Sequence, residues 1–153
     1  MIITNKDIRF YDTCSLLIGG ERIFKKEENF IISSVTIQEL EHIKVSNSKD
    51  TDIKYVARLI LNLLEKYPQK YEVIIHTRAN ELEILKKGFD ITNDTQILSD
   101  AYYCNNKIYI DRVIFVTNDI ALKYIANCFF GDKMIETVIP EIDSYTGYKE
   151  VCL

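Results

Sequence analysis

Four acidic residues, Asp12, Glu39, Asp94 and Asp119, hold comparable places in the sequence. Asp12 ends the apolar stretch "IRFYD". Glu39 falls one turn into the helical "VTIQELEHIK" that follows "NFIISS". Asp94 opens "DTQILSDA", and Asp119 follows "VIFVTN". Each marks a strand exit or a helix start, where a parallel α/β sheet binds its ligands. Two carboxylates 4 Å apart repel by roughly 1 kcal/mol in water and about 4 kcal/mol at an effective dielectric of 20. Four together need a cation to remain ionised. A hard divalent ion suits an all-oxygen set, either magnesium at about 2.1 Å with several waters retained, or manganese. Such an ion activates water and steadies the oxygens of an in-line phosphoryl displacement.

Each acid also has a purely local explanation. "TIQE" at Thr36–Glu39 reads as a capping box, with Glu39 returning to the Thr36 amide. Asp94 stands between Asn93 and Thr95, any of which suits a helix cap. Asp119 complements a helix dipole and reaches Lys123 at i+4, and Asp12 suits a cap for "TCSLL". Their joint occurrence at successive strand-to-helix junctions favours a shared site over four separate caps.

The elements that must position them follow from periodicity. Strands are expected at "IRFYDT", "NFIISS", "YEVIIHT", "RVIFVT" and "MIETVIP". Helices are expected at "VTIQELEHIK", "DTDIKYVARLILNLLEKY", "ANELEILKK", "NDTQILSDAYYC" and "DIALKYIANCFF". The long second helix must stop before Pro68. Strands alternating with helices imply a three-layer α/β/α fold around a central parallel sheet of about five strands. The domain is expected to span residues 1–140, with 141–153 a polar tail or linker after Pro140.

The 153 residues fit one domain, and the apolar share, 47 %, is ordinary for a globular protein. No apolar run reaches the roughly 18–20 residues of a membrane span, and the start lacks a signal-peptide pattern. A cytoplasmic protein without a membrane partner is expected. Cys14, Cys104, Cys128 and Cys152 form no CxxC pair, which argues against zinc. The net charge of −4 disfavours a nonspecific nucleic-acid coat but not a carboxylate–metal enzyme.

"YDTCSLL", "TIQELEHIK", "DTQILSDA" and "FVTNDIAL", in that order, resemble the PIN domain family. The resemblance runs from about Ile8 to Pro140. It is closest to the PIN domain that precedes a PhoH-type ATPase, to which the long amphipathic helix and the tail "SYTGYKEV" are similar. The resemblance implies a divalent-metal-dependent endoribonuclease acting on single-stranded RNA. Its catalytic acids would be Asp12, Glu39, Asp94 and Asp119, with Mg2+ or Mn2+ on Asp12, Asp94 and Asp119. Thr117 and Asn118 would orient ligands, and the products would carry 5′-phosphate and 3′-hydroxyl ends. An ATPase of PhoH type, on a longer parent or a separate chain, is the implied partner, and a homo-oligomer is left open. Asp90 is an alternative to Asp94. Cys14 stands where the family usually has Asn or Ser. Lys44, Lys86, Lys87, Arg112 and Lys123 are the candidates for phosphate contacts.

Two rivals remain. A response-regulator receiver also places acids at strand ends, but "IIHT" and Pro140 stand where it needs aspartate and lysine. A catalytically weak PIN-like binding or assembly domain would more naturally lack one of the acids, and none is missing. His42, one turn beyond Glu39, and His76 read as surface and structural residues, and Tyr102, Tyr103 and Tyr109 as core or rim.

Overall fold

The computed structural model describes residues 7–108 and 112–139. Tyr109, Pro140, the expected tail and Cys152 lie outside them. Five strands form one sheet: β1 (Asp7–Tyr11), β2 (Phe30–Ser33), β3 (Tyr71–Ile74), β4 (Arg112–Val116) and β5 (Ile135–Glu136). Their order is β3-β2-β1-β4-β5 and every pairing is parallel. The expected sheet is therefore present, with shorter strands at "YEVIIHT" and "MIETVIP" than periodicity suggested.

Side chains on successive strand residues point to opposite faces, and both faces are apolar. Phe10, Ile31, Val113 and Phe115 enter one core; Phe30, Ile32, Ile114 and Val116 enter the other. Fully burying one such side chain contributes about 1.5–3 kcal/mol. This two-sided burial makes "VIFV" a continuous apolar block.

Helices α1 (Thr13–Gly19), α2 (Glu21–Lys26), α3 (Ser34–Val45) and α4 (Thr51–Lys66) follow the first strands; α5 (Leu82–Lys86), α6 (Asn93–Tyr103) and α7 (Ile120–Ala126) complete the layers. α1 and α2 were not expected as helices. They are two short pieces divided at Gly20, whose φ of 57° favours glycine. A Cβ on Gly19 would collide with Ile23. α4 buries Ile53, Ala57, Ile60, Leu63 and Leu64 and stops before Pro68, as expected.

The strand order reverses between β1 and β4, since the chain runs outward to β3 and then returns to the other side of β1. In open α/β sheets, the crevice beyond such a switch point is where ligands bind. Among the described residues, no helix is long and apolar enough to cross a membrane.

Candidate active site

β1 and β4 end together. Tyr11 pairs with Val116, so Asp12 and Thr117 leave the sheet side by side. The Asp12 amide donates to the Val116 carbonyl at 3.1 Å, and Ser15 Oγ donates to that carbonyl at 2.9 Å. Asp12 then caps α1, its Oδ1 accepting from the Ser15 amide at 2.8 Å. The buried Thr117 hydroxyl hydrogen-bonds the Asp12 carboxylate and accepts from the Asp119 amide at 3.1 Å. One hydroxyl thus fixes two acids relative to each other. Asp119 caps α7, with Oδ1 accepting from the Leu122 amide at 3.1 Å.

Glu39 reaches the same place from α3. Its Oε1 is bound by Thr13 Oγ1 at 2.6 Å, and Thr13 Oγ1 also meets Thr36 Oγ1 at 3.1 Å. The capping-box expectation is corrected here. α3 begins earlier, and Ser33 caps it by accepting from the Val35 amide, which frees Glu39. Capping of α6 belongs to Thr92, reciprocally with Thr95. Asp94 is relieved of it and has no hydrogen-bond partner among the described residues.

Glu39, Asp94 and Asp119 line one cleft of about 310 Å³, together with His42, Cys14 and Lys49. Asp12 is buried, 2 % exposed, and is coupled to Asp94 by charge. Burial pushes its carboxyl up to about 6, against the hydrogen bonds from Thr117 and Ser15, and Asp94 adds to the rise. Asp94 is exposed as a residue, but the cleft crowds its carboxyl. Desolvation there, then Asp119 and Glu39, push it up to about 6. Asp94 is thus the acid that feels the charge of Asp119 and Glu39 and passes its own to Asp12.

The PIN domain family matches residues 10–129. The chain belongs to the PIN domain family. No curated protein matches the sequence. PIN domains are generally metal-dependent nucleases, using divalent ions.

The donor chemistry of this PIN domain fits such an ion: an all-carboxylate set, mutually repelling, with two members held above the usual carboxylate range. Among the described residues, no group of three His, Cys, Asp or Glu side chains is drawn together around a single metal position. The acids share a cleft rather than a closed shell.

Other expectations meet mixed outcomes. Asn118 is committed to Val138, donating to its carbonyl at 2.7 Å and accepting from its amide at 2.9 Å. It therefore holds the segment after β5 rather than the acids. Asp90 is exposed and is not among the cleft's lining residues; its carbonyl accepts from Thr95 Oγ1 at 2.8 Å. Arg112 pairs with Asp7 at 3.0 Å where β4 starts, at the opposite end of the sheet. Lys44 and Lys86 pair with Glu41 and Glu83, and Lys87 lies over the Phe129 ring. Tyr102 packs edge-on against Phe129 and Phe130, as core. His42 lines the cleft instead of standing apart from it.

Behind the site of the PIN domain lies a polar network that the sequence did not reveal. Asp100, fully buried, accepts from Ser33 Oγ at 2.7 Å and from Asn80 Nδ2 at 3.0 Å. His76 stands between Asp100 Oδ1 at 2.8 Å and Glu81 Oε2 at 2.5 Å. Glu81 also accepts from Gln96 Nε2 at 3.2 Å. Only the His76–Glu81 contact is local; Ser33 and Asp100 are 67 residues apart and meet through the fold.

Proposed function

We propose that this PIN domain is a divalent-metal-dependent endoribonuclease that cuts single-stranded RNA. The observation that carries the reading is the cleft shared by Glu39, Asp94 and Asp119, with Asp12 coupled to it through Asp94. Asp12, Asp94 and Asp119 would hold magnesium or manganese, with Glu39 beside them. When bound, the ion supplies Lewis acidity at phosphoryl oxygens and makes water a better nucleophile. Thr117 keeps Asp12 and Asp119 in register from behind. Thr13 orients Glu39, whose carboxylate serves to take a proton from the attacking water. The water oxygen bonds to phosphorus as the 3′ oxygen departs and takes up a proton. A 5′-phosphate and a 3′-hydroxyl result.

The reading extends to a subtype and its setting. The motifs "TIQELEHIK" and "SYTGYKEV" support a PIN domain of the kind that precedes a PhoH-type ATPase, cytoplasmic, with residues 1–140 as the nuclease and 141–153 leading toward the ATPase.

Manganese-dependent cleavage of a mixed single-stranded RNA pool tests the proposal, with Asp12→Asn as the control. Wild type should cut, the variant should not, and duplex RNA should resist. Intact RNA throughout, with folded protein and a PhoH-type ATPase added, would sink it. Tight RNA binding without any cutting would favour a catalytically weak binding or assembly domain.

A further inference from the structure

Lys49 is the one lysine or arginine among the residues lining the acidic cleft. It belongs to the link between α3 and α4, and both ends of that link are fixed. The Ser46 amide closes α3 on the Ile43 carbonyl at 3.2 Å, and Ser46 Oγ accepts from the Ser48 amide at 3.2 Å. Asp50, directly after Lys49, caps α4 by accepting from the Asp52 amide at 2.7 Å. The backbone therefore presents Lys49 at a set place on the wall that also carries Glu39 and His42. Lys44, five residues earlier, pairs with Glu41 at 2.8 Å. Lys49 is exposed and has no ion pair or hydrogen bond among the described residues. It stays unpaired although Glu39, Asp94 and Asp119 line the same cleft.

A phosphate entering a cleft lined by Glu39, Asp94 and Asp119 is repelled everywhere except at bound metal and at a cation of the protein. An ammonium on a flexible stem is a point charge suited to a phosphate oxygen and indifferent to the base. We infer that Lys49 anchors a backbone phosphate of single-stranded RNA next to the one being cut, from the α3–α4 wall. It is thus a substrate-positioning residue that reads no sequence. The inference rests on the nuclease reading for its substrate, but the binding it describes is measurable without catalysis.

The test is the salt dependence of binding. A fluorescein-labelled single-stranded oligouridylate is titrated by anisotropy between about 50 and 200 mM salt, in chelator, with wild type, Lys49→Met and Lys49→Arg. Lys25→Met, on α2 and not among the cleft's lining residues, is the control. Neutralising one single-strand phosphate contributes about 0.7 to the slope of log affinity against log salt. Lys49→Met should lose about that much slope, with Lys49→Arg and Lys25→Met close to wild type. In manganese, Lys49→Met should raise KM several-fold while kcat at saturating RNA changes little. An unchanged slope and KM in folded Lys49→Met would overturn the inference. So would an unchanged slope with a larger manganese-induced rise in Tm, since Lys49 would then be only a counter-charge for the acids. The two readings fail separately. Binding with the expected slope change but no cleavage leaves the anchor standing and the nuclease fallen, whereas cleavage with no slope change does the reverse. A wild type that neither binds nor cuts removes both.

Discussion

Ser33 and Asp100, both fully buried, are joined by a 2.7 Å hydrogen bond. Ser33 caps α3, which carries Glu39, and Asp100 belongs to α6, which carries Asp94. The bond ties together the two helices that bring acids to the cleft from outside the β1–β4 pair. Its loss is expected to matter at a distance. Ser33→Ala removes both a cap and a donor to a buried carboxylate, and should lower stability by about 1–3 kcal/mol. Denaturant unfolding measures this, and manganese should stabilise the variant less than wild type. An unchanged unfolding midpoint would mean that the bond does not hold the helices.

His76 gives the network a pH dependence. Burial alone would lower its pKa, but the hydrogen bonds to Glu81 and Asp100 outweigh burial and hold it above its ordinary value. The folded state then keeps a proton that the unfolded state releases, so stability must fall as pH rises. The contribution is full below about 6.5, the ordinary histidine value, and is lost as pH climbs through the raised one. The groups around the ring are Glu81 and Asp100, and its own amide donates to Ser34 Oγ at 2.9 Å. Urea unfolding across neutral pH should show this decline, and His76→Gln should flatten it. An equal decline in the variant would assign the effect elsewhere.

Asp119 is both a cap and a member of the cleft, so one substitution separates its roles. Asn caps nearly as well as Asp, but removes a charge that raises Asp94. In chelator, Asp119→Asn should gain on the order of 1 kcal/mol. For a domain of this size that is about 2–4 °C in Tm. Manganese stabilises wild type by mass action, and this gain should shrink in the variant. A lower Tm in chelator with an undiminished manganese shift would leave Asp119 as a cap alone.

Cys14 lines the cleft beside Asp12, yet three of the acids already share that space without it. Cys14→Ser should cut RNA as well as wild type or better, because a hydroxyl is the stronger hydrogen-bonding group. Total loss of cleavage by a folded variant would show that the thiol itself is needed.

Much of this was legible from the chain. Asp12 and Asp119 follow short apolar blocks buried on both faces, and such blocks end where a doubly covered sheet opens to solvent. Glu39 was legible from its place early in the helix after β2, and only its rival explanation fails, since Ser33 caps that helix and the carboxylate answers to Thr13 across the fold. α1 and α2 were hidden because each lasts only two turns and the Gly19–Gly20 break interrupts any period. Lys49 had no signal, being one lysine in a polar link. Asp100 had none either, as its partners Asn80, His76 and Ser33 lie 20, 24 and 67 residues away.

The pairing of the two central strands has a consequence for when the site comes into being. Asp7 and Arg112, at the start of that pairing, are separated by 105 residues. Contacts so distant along the chain form late, because a long loop must close before they repay its entropy. A chain emerging from synthesis carries Asp12 and Glu39 early, but Thr117 and Asp119 arrive only with the end of β4. Until that strand docks against β1, the acids face no opposing wall and share no cleft. Whatever chemistry the cleft performs is withheld from partly made chains and from fragments ending before β4, without any separate inhibitor.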